Sequence, residues 1–207
     1  MLEHSMLYPK TTFTRRRISM DGMWKFCLDE KAVGEKEGWM DGIPGEEMIP
    51  VPASFQDFYT EKDIREYTGD FWYETDFFVP GEWEGREILL RFGAATHRAS
   101  VYVNGILITE HEGGFLPFSA KVTTVVRYDS YNKVVVKVNN ELTCTNIPCG
   151  ETITLPNGKK MSKPYFDFFN YAGLQRSVYL LALPGESIVD FDLDYAIHGK
   201  NAEVSYQ

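Results

Sequence analysis

The chain has 207 residues, 43% of them hydrophobic and 14% aromatic, with a formal net charge of −9. That length suits one domain or a domain and a fraction, with enough apolar material for a buried core. The acidic balance excludes nucleic acid and anionic membrane as the main partner, and no stretch approaches the roughly 18 apolar residues of a membrane span.

Taken in chain order, the hydrophobic pattern predicts strands almost throughout. The polar start over 1–14 carries no hydrophobic signal segment. Arg15-Arg16-Arg17 is too short for a basic binding patch and reads as a solvated loop. Residues 24–28 form the first predicted strand, and 57–66 carry the one weak helical pattern. Residues 71–79 are a long aromatic strand with Tyr73, Thr75 and Phe77 on one face, and 88–92 a short apolar one. Residues 100–103 and 106–109 flank Asn104-Gly105, the pair a tight hairpin turn favours because both central residues need positive φ. Val134, Val136 and Val138 alternate with Val135 and Lys137, as in a half-buried strand. Residues 152–155 and 159–162 flank a second such pair, Asn157-Gly158, and 178–183 form another apolar strand. Pro184-Gly185 marks a break. Beyond it 187–197 reads as extended, Gly199-Lys200-Asn201 as a turn and 202–206 as a strand. Many short strands punctuated by Gly, Pro and Asn-Gly make an all-β sandwich or barrel.

The chemistry concentrates in Tyr165-Phe166-Asp167-Phe168-Phe169-Asn170-Tyr171-Ala172-Gly173, where five aromatic side chains in seven residues surround one carboxylate and one carboxamide. Aromatic faces stack on the apolar C–H faces of sugars, and Asp and Asn bind hydroxyls. The competing reading is a core strand with one stray Asp. Other motifs fail. His111-Glu112-Gly113-Gly114 lacks the second His of a zinc-protease helix, and Gly-Gly is no helix interior. His4, His97 and His198 have no metal-ligand spacing. Gly158-Lys159-Lys160 lacks the rest of a phosphate loop. No cofactor and no metal site is expected. Cys27, Cys144 and Cys149 are an odd number. Pairing of Cys144 with Cys149 stays open, but free thiols in a cytoplasmic protein are the better reading.

The aromatic run closely resembles one in the N-terminal domain of the β-glucuronidases of glycoside hydrolase family 2. Other stretches follow in the same order as in that family. They are Asp21-Gly22-Met23-Trp24-Lys25-Phe26, Val51-Pro52-Ala53-Ser54-Phe55, Tyr67-Thr68-Gly69-Asp70-Phe71-Trp72-Tyr73 and Arg91-Phe92-Gly93-Ala94-Ala95-Thr96-His97. Val101-Tyr102-Val103-Asn104-Gly105, His111-Glu112-Gly113-Gly114-Phe115-Leu116-Pro117-Phe118, Val138-Asn139-Asn140-Glu141-Leu142 and Arg176-Ser177-Val178 continue the series.

The resemblance, which spans roughly 15–183, implies a jelly-roll, galactose-binding-like β-sandwich over 1–184 and the first strands of an immunoglobulin-like sandwich over 185–207. It implies that the parent hydrolyses β-D-glucuronides with retention, using two glutamates of a barrel for which this chain has no room. Asp167 matches the Asp that reaches into the active site and binds a sugar hydroxyl. It is the one candidate site residue, and the catalytic set is expected to be empty here. Phe166, Phe168, Phe169 and Tyr171 are expected to be core and interface. Asn140-Glu141 echoes an acid/base pair, but its surroundings match the sandwich, so a structural role at a strand end is expected. Expected partners are a carbohydrate, the chain's own C-terminal barrel and further copies in a tetramer. The alternative is a free-standing carbohydrate-binding module without hydrolytic activity.

Overall fold

The computed structural model describes residues 8–188 and 191–207; Val189, counted in the predicted tail strand, and His4 lie outside them. Two antiparallel sheets face one another as a jelly-roll sandwich. The larger holds β3 (Met48–Val51), β2 (Gly22–Leu28), β4 (Asp70–Val79), β9 (Ser130–Asn139), β6 (Arg98–Val103) and β7 (Ile106–Glu112), in that order. The smaller holds β1 (Arg16–Ser19), β12 (Val178–Leu183), β5 (Glu87–Phe92) and β8 (Phe118–Lys121).

Period-2 alternation builds the core between them. Phe71, Tyr73, Phe77 and Val79 of β4 point inward beside Val134, Val136 and Val138 of β9 and Ala99, Val101 and Val103 of β6. They meet Ile88, Leu90 and Phe92 of β5 and Val178, Leu180 and Ala182 of β12. The opposite face of β4 is not left to water. Trp72, Val135 and Tyr102 form a second cluster with Trp39 and Ile43, which arrive on the loop after β2.

The Asn104-Gly105 turn forms as expected, with φ of 51° and 81°, and Val103 pairs with Ile106 across it. The second hairpin, β10 (Gly150–Thr154) with β11 (Lys160–Pro164), starts earlier than expected and closes on a wider turn. Three expectations need correcting. Arg16 and Arg17 lie in β1, paired to β12, not in a loop. The Arg17 guanidinium sits 4.9 Å from the centre of the Tyr179 ring. The helical stretch is two single turns, α1 (Phe55–Phe58) and α2 (Lys62–Arg65), separated by an extended Tyr59. The edge strands β1, β3 and β8 were not foreseen at all.

β13 (Leu193–His198) and β14 (Asn201–Tyr206) pair only with each other. Leu193 opposes Tyr206, Tyr195 opposes Val204 and Ile197 opposes Ala202, so one face of this hairpin is wholly apolar. All of its residues are exposed. Among the described residues no helix is long and apolar enough to cross a membrane.

An anchored aromatic loop as the candidate functional site

The aromatic run follows β11 and precedes β12, and it forms neither helix nor strand. Its ends are tied down. The Tyr165 N–H donates to the Cys149 carbonyl at 3.1 Å. Beyond the run, Ala53 and Phe55 donate from their backbones to Leu174 and Ala172, and Thr96 donates to Gly173. Residues 172–174 are thus held between the segment entering α1 and the one leading into β6.

Within the stretch 165–171 of the run Asn170 is the buried residue, 8% exposed. Its Nδ2 donates to the Asn140 carbonyl at 2.8 Å and to Ser162 Oγ at 3.3 Å. Its Oδ1 lies 2.6 Å from Nε2 of His97. Its carbonyl accepts from Gln56 Nε2 at 3.2 Å, and Gln56 Oε1 accepts from the Ala172 N–H and Ser54 Oγ, both at 2.8 Å. Asn140 in turn bridges the Gly69 N–H and the Tyr67 carbonyl, each at 2.9 Å. The general capacity of a carboxamide to bind hydroxyls is not expressed at Asn170. The structure instead consumes its amide in internal bonds, because a buried amide must be satisfied.

His97 is fully buried. Because Asn170 Oδ1 can only accept, Nε2 of His97 carries the proton and donates. Burial pushes the His97 pKa below its ordinary value; the bond to Asn170 opposes this and the charge of Arg98 adds to it. Nδ1 is left without a partner among the described residues. A Cβ added at Gly114 would lie 2.8 Å from it, so the glycine permits this close packing.

This has a measurable sign. Unfolded His97 takes up a proton near its ordinary pKa of about 6.5, while the folded residue resists it. Stability is therefore complete above about pH 6.5 and falls as the pH drops below it. His111, half-buried and stacked on Phe118 at 4.2 Å, is shifted downward by burial too and acts in the same direction. Urea melts at pH 7.5 and 5.5 should show the lower midpoint at pH 5.5, with a smaller difference in His97→Gln.

The rest of the run faces outward. Phe166 is 65% exposed and Phe168 39%, and Phe169 and Tyr171 are exposed against one another at 4.7 Å. None of these four rings enters the core of this sandwich, because the chain here lacks strand alternation and the polar Asn170 takes the buried position; of the expected core and interface roles, only the core one is corrected. Arg65 of α2 lies 6.0 Å from the Phe169 ring, and Phe115 meets His97 edge-on at 6.2 Å. Asp167 stands exposed among the rings. It makes no hydrogen bond or ion pair to any other described residue, so both oxygens are free to accept from a donor outside this domain.

Glu141 sits just past β9, where Lys160 Nζ contacts its Oε1 at 2.5 Å. Among the described residues no three His, Cys, Asp or Glu side chains gather as a metal site, and Cys27, Cys144 and Cys149 are free thiols. His97, Gln56 and Asn140 were not foreseen as parts of the site. No local pattern singles them out, since each stands among other polar residues, as in Thr96-His97-Arg98 and Asn139-Asn140-Glu141.

Comparison with known proteins follows this geometry. The signature of the glycosyl hydrolases family 2, sugar binding domain, matches residues 18–184. A β-glucuronidase of Paenibacillus borealis is 38% identical over 97% of this chain and 35% of its own length. The human β-glucuronidase is 35% identical over 100% of this chain and 35% of its own. A crystal structure of Ruminococcus gnavus β-glucuronidase superposes on the whole chain with a TM-score of 0.95 at 54% identity, and 35% of that chain is covered. The same enzyme in complex with D-glucuronic acid also superposes with a TM-score of 0.95. This chain spans about a third of the length of these relatives. With the family signature running from β1 to the end of β12, the chain belongs to the sugar-binding domain of the family 2 glycosyl hydrolases.

Proposed function

We propose that the chain is the N-terminal domain of a retaining β-glucuronidase and that it supplies Asp167 to a sugar pocket completed by a catalytic barrel. The observation that carries this reading is the similarity to the Ruminococcus gnavus β-glucuronidase, which holds over the entire chain at 54% identity. The exposed rings pack against the barrel and aim Asp167 at a substrate hydroxyl. An ionised carboxylate can only accept, which suits that donor. Hydrolysis with retention needs two carboxyl groups about 5 to 5.5 Å apart. Glu141, occupied by Lys160, is not one of them. The parent needs no cofactor, assembles as a tetramer and works in the cytoplasm.

The purified 207-residue chain is therefore expected to give no turnover of a chromogenic β-glucuronide. Turnover that Glu141→Gln abolished would assign the chemistry to this domain and overturn the proposal. The gene itself offers a second test. A stop codon directly after Gln207 would remove the barrel and the enzyme reading with it.

The domain boundary belongs to the same proposal. Residues 1–184 are the sugar-binding domain, and 185–207 begin an immunoglobulin-like sandwich whose other strands cover the apolar face of the β13–β14 hairpin. Because the hairpin buries nothing in the first core, a chain ending at Pro184 should melt within about 2 °C of the longer one. A larger drop, or strong hydrogen-exchange protection across 193–206 in a monomer, would assign the tail to the first domain.

One observation favours a second reading. The outward-facing Phe166, Phe168, Phe169 and Tyr171 are the kind of platform on which a free-standing carbohydrate-binding module stacks sugars. Titration calorimetry of the chain with glucuronate separates the two. Binding by the isolated chain supports a module, whereas the proposed domain should bind measurably only as part of the whole enzyme.

A further inference from the structure

We infer that His97 is a positioning residue for Asp167, acting at a distance through Asn170. The inference rests on the sugar-contacting reading of Asp167 given above. The run from Tyr165 to Tyr171 has no regular structure to hold it. Among the described residues the only backbone hydrogen bonds donated within it are Tyr165 to Cys149 and Tyr171 to Phe169. Residues 166–169 are exposed. What fixes Asp167 is therefore the anchor three residues further on, where four hydrogen bonds converge on Asn170.

Of those four, the bond to His97 is the shortest, at 2.6 Å. It also comes from a residue whose backbone is tied to β9 and to the segment after β7. The His97 N–H donates to the Asn139 carbonyl at 2.8 Å, and its own carbonyl accepts from Gly113 at 3.1 Å. Thr96, the preceding residue, bonds Gln175 Oε1 and the Gly114 carbonyl. The His97 backbone is thus held from both sides, and its ring, bonded through Nε2, transmits the position of β6 and β9 to the loop. Removing its donor leaves Asn170 Oδ1 buried and unpaired, a state that relaxes by turning the amide toward water. That turn carries Asp167 with it. Misplacing a substrate-contacting group by about 1 Å can cost on the order of a hundredfold in rate.

The test uses three variants. His97→Phe keeps the ring volume and removes the donor, His97→Gln keeps an N–H donor at similar reach, and Asn170→Ala removes this bond together with those to Asn140 and Ser162. On the 207-residue chain, hydrogen exchange at Tyr171 and Ala172 should accelerate at least roughly tenfold in His97→Phe and Asn170→Ala. Amides of the β4–β9 ladder should keep their protection, and His97→Gln should restore the loop. In the full-length parent, His97→Phe should lower kcat/KM about as much as Asp167→Ala, and the double variant should lose little more, because both changes remove one contact. His97→Gln should recover to within about threefold of wild type.

Uniform acceleration of all amides would reduce His97 to a general stabiliser and overturn the inference. So would kinetic losses in His97→Phe and Asp167→Ala that multiply. Should Asp167→Ala leave the kinetics unchanged, the sugar-contacting reading fails instead, and the exchange pattern at Tyr171 and Ala172 still decides whether His97 anchors the loop. Should His97→Phe not fold, the smaller His97→Leu, which also lacks a donor, carries both measurements.

Discussion

Replacing Asp167 with alanine in the full-length parent is expected to lower kcat/KM by roughly tenfold to a hundredfold while the domain keeps its melting temperature. The magnitude follows from the loss of one hydrogen bond to a charged acceptor, about 1.5 to 3 kcal/mol. The selectivity follows from geometry. Asp167 is exposed and has no partner among the described residues, so its removal leaves no buried group unpaired. Steady-state kinetics on a chromogenic β-glucuronide, run beside a thermal melt, check both halves. Asp167→Asn refines the outcome, because a neutral carboxamide keeps an acceptor oxygen and should recover part of the loss. Unchanged kinetics in a well-folded variant would demote Asp167 to a surface residue.

The largest expected effect on stability lies six residues further on. Gly173 has a φ of +140°, where L side chains are strained. A Cβ there would also meet the Ala53 carbonyl at 2.7 Å and the Tyr73 hydroxyl at 2.8 Å. The carbonyl is backbone beside α1 and Tyr73 is a fully buried core ring, so neither yields easily. Backbone strain and overpacking each cost about 1–3 kcal/mol. Gly173→Ala should therefore destabilise by about 2–6 kcal/mol, and the middle of that range lowers Tm by roughly 8–16 °C in a chain of this size. Gly158→Ala is the control. It also has positive φ, but nothing lies within 4 Å of its added Cβ, so only the strain should register.

The interior strands were legible because two opposed core faces force alternation. In β12 the inward residues are fully apolar, and in β4 and β9 they are so apart from Thr75 and Asn132. Edge strands obey a weaker rule, and this explains why β1, β3 and β8 escaped. Each has four residues, each pairs on one side only, and β3 carries Pro50, whose ring removes a donor that an edge position does not need. The composition of the aromatic run did not disclose its structure. Five rings around a carboxylate announce a binding surface, and the same rings argue for burial. Composition cannot choose between the two. The choice was made by Asn170, whose partners come from residues 56, 97, 140 and 162, far apart along the chain. No local window reports a hydrogen-bond network assembled from four distant places.

The pairing of β1 with β12 has a consequence for how the protein is made. Ser19 and Tyr179 are Cα partners 160 residues apart, and β12 sits between β1 and β5 in the smaller sheet. During translation at about 5–20 residues per second, the first strand waits roughly 8–32 s before its neighbour exists. Until then the smaller sheet lacks an interior strand, and Ile88, Leu90 and Phe92 of β5 lack the Val178, Leu180 and Ala182 that cover them. The larger sheet can assemble early, since β2, β3, β4, β6, β7 and β9 have all been synthesised by residue 139. The sandwich therefore closes from its late end. Nascent chains arrested before about residue 178 should remain protease-sensitive, and those released beyond Leu183 should become resistant in a single step.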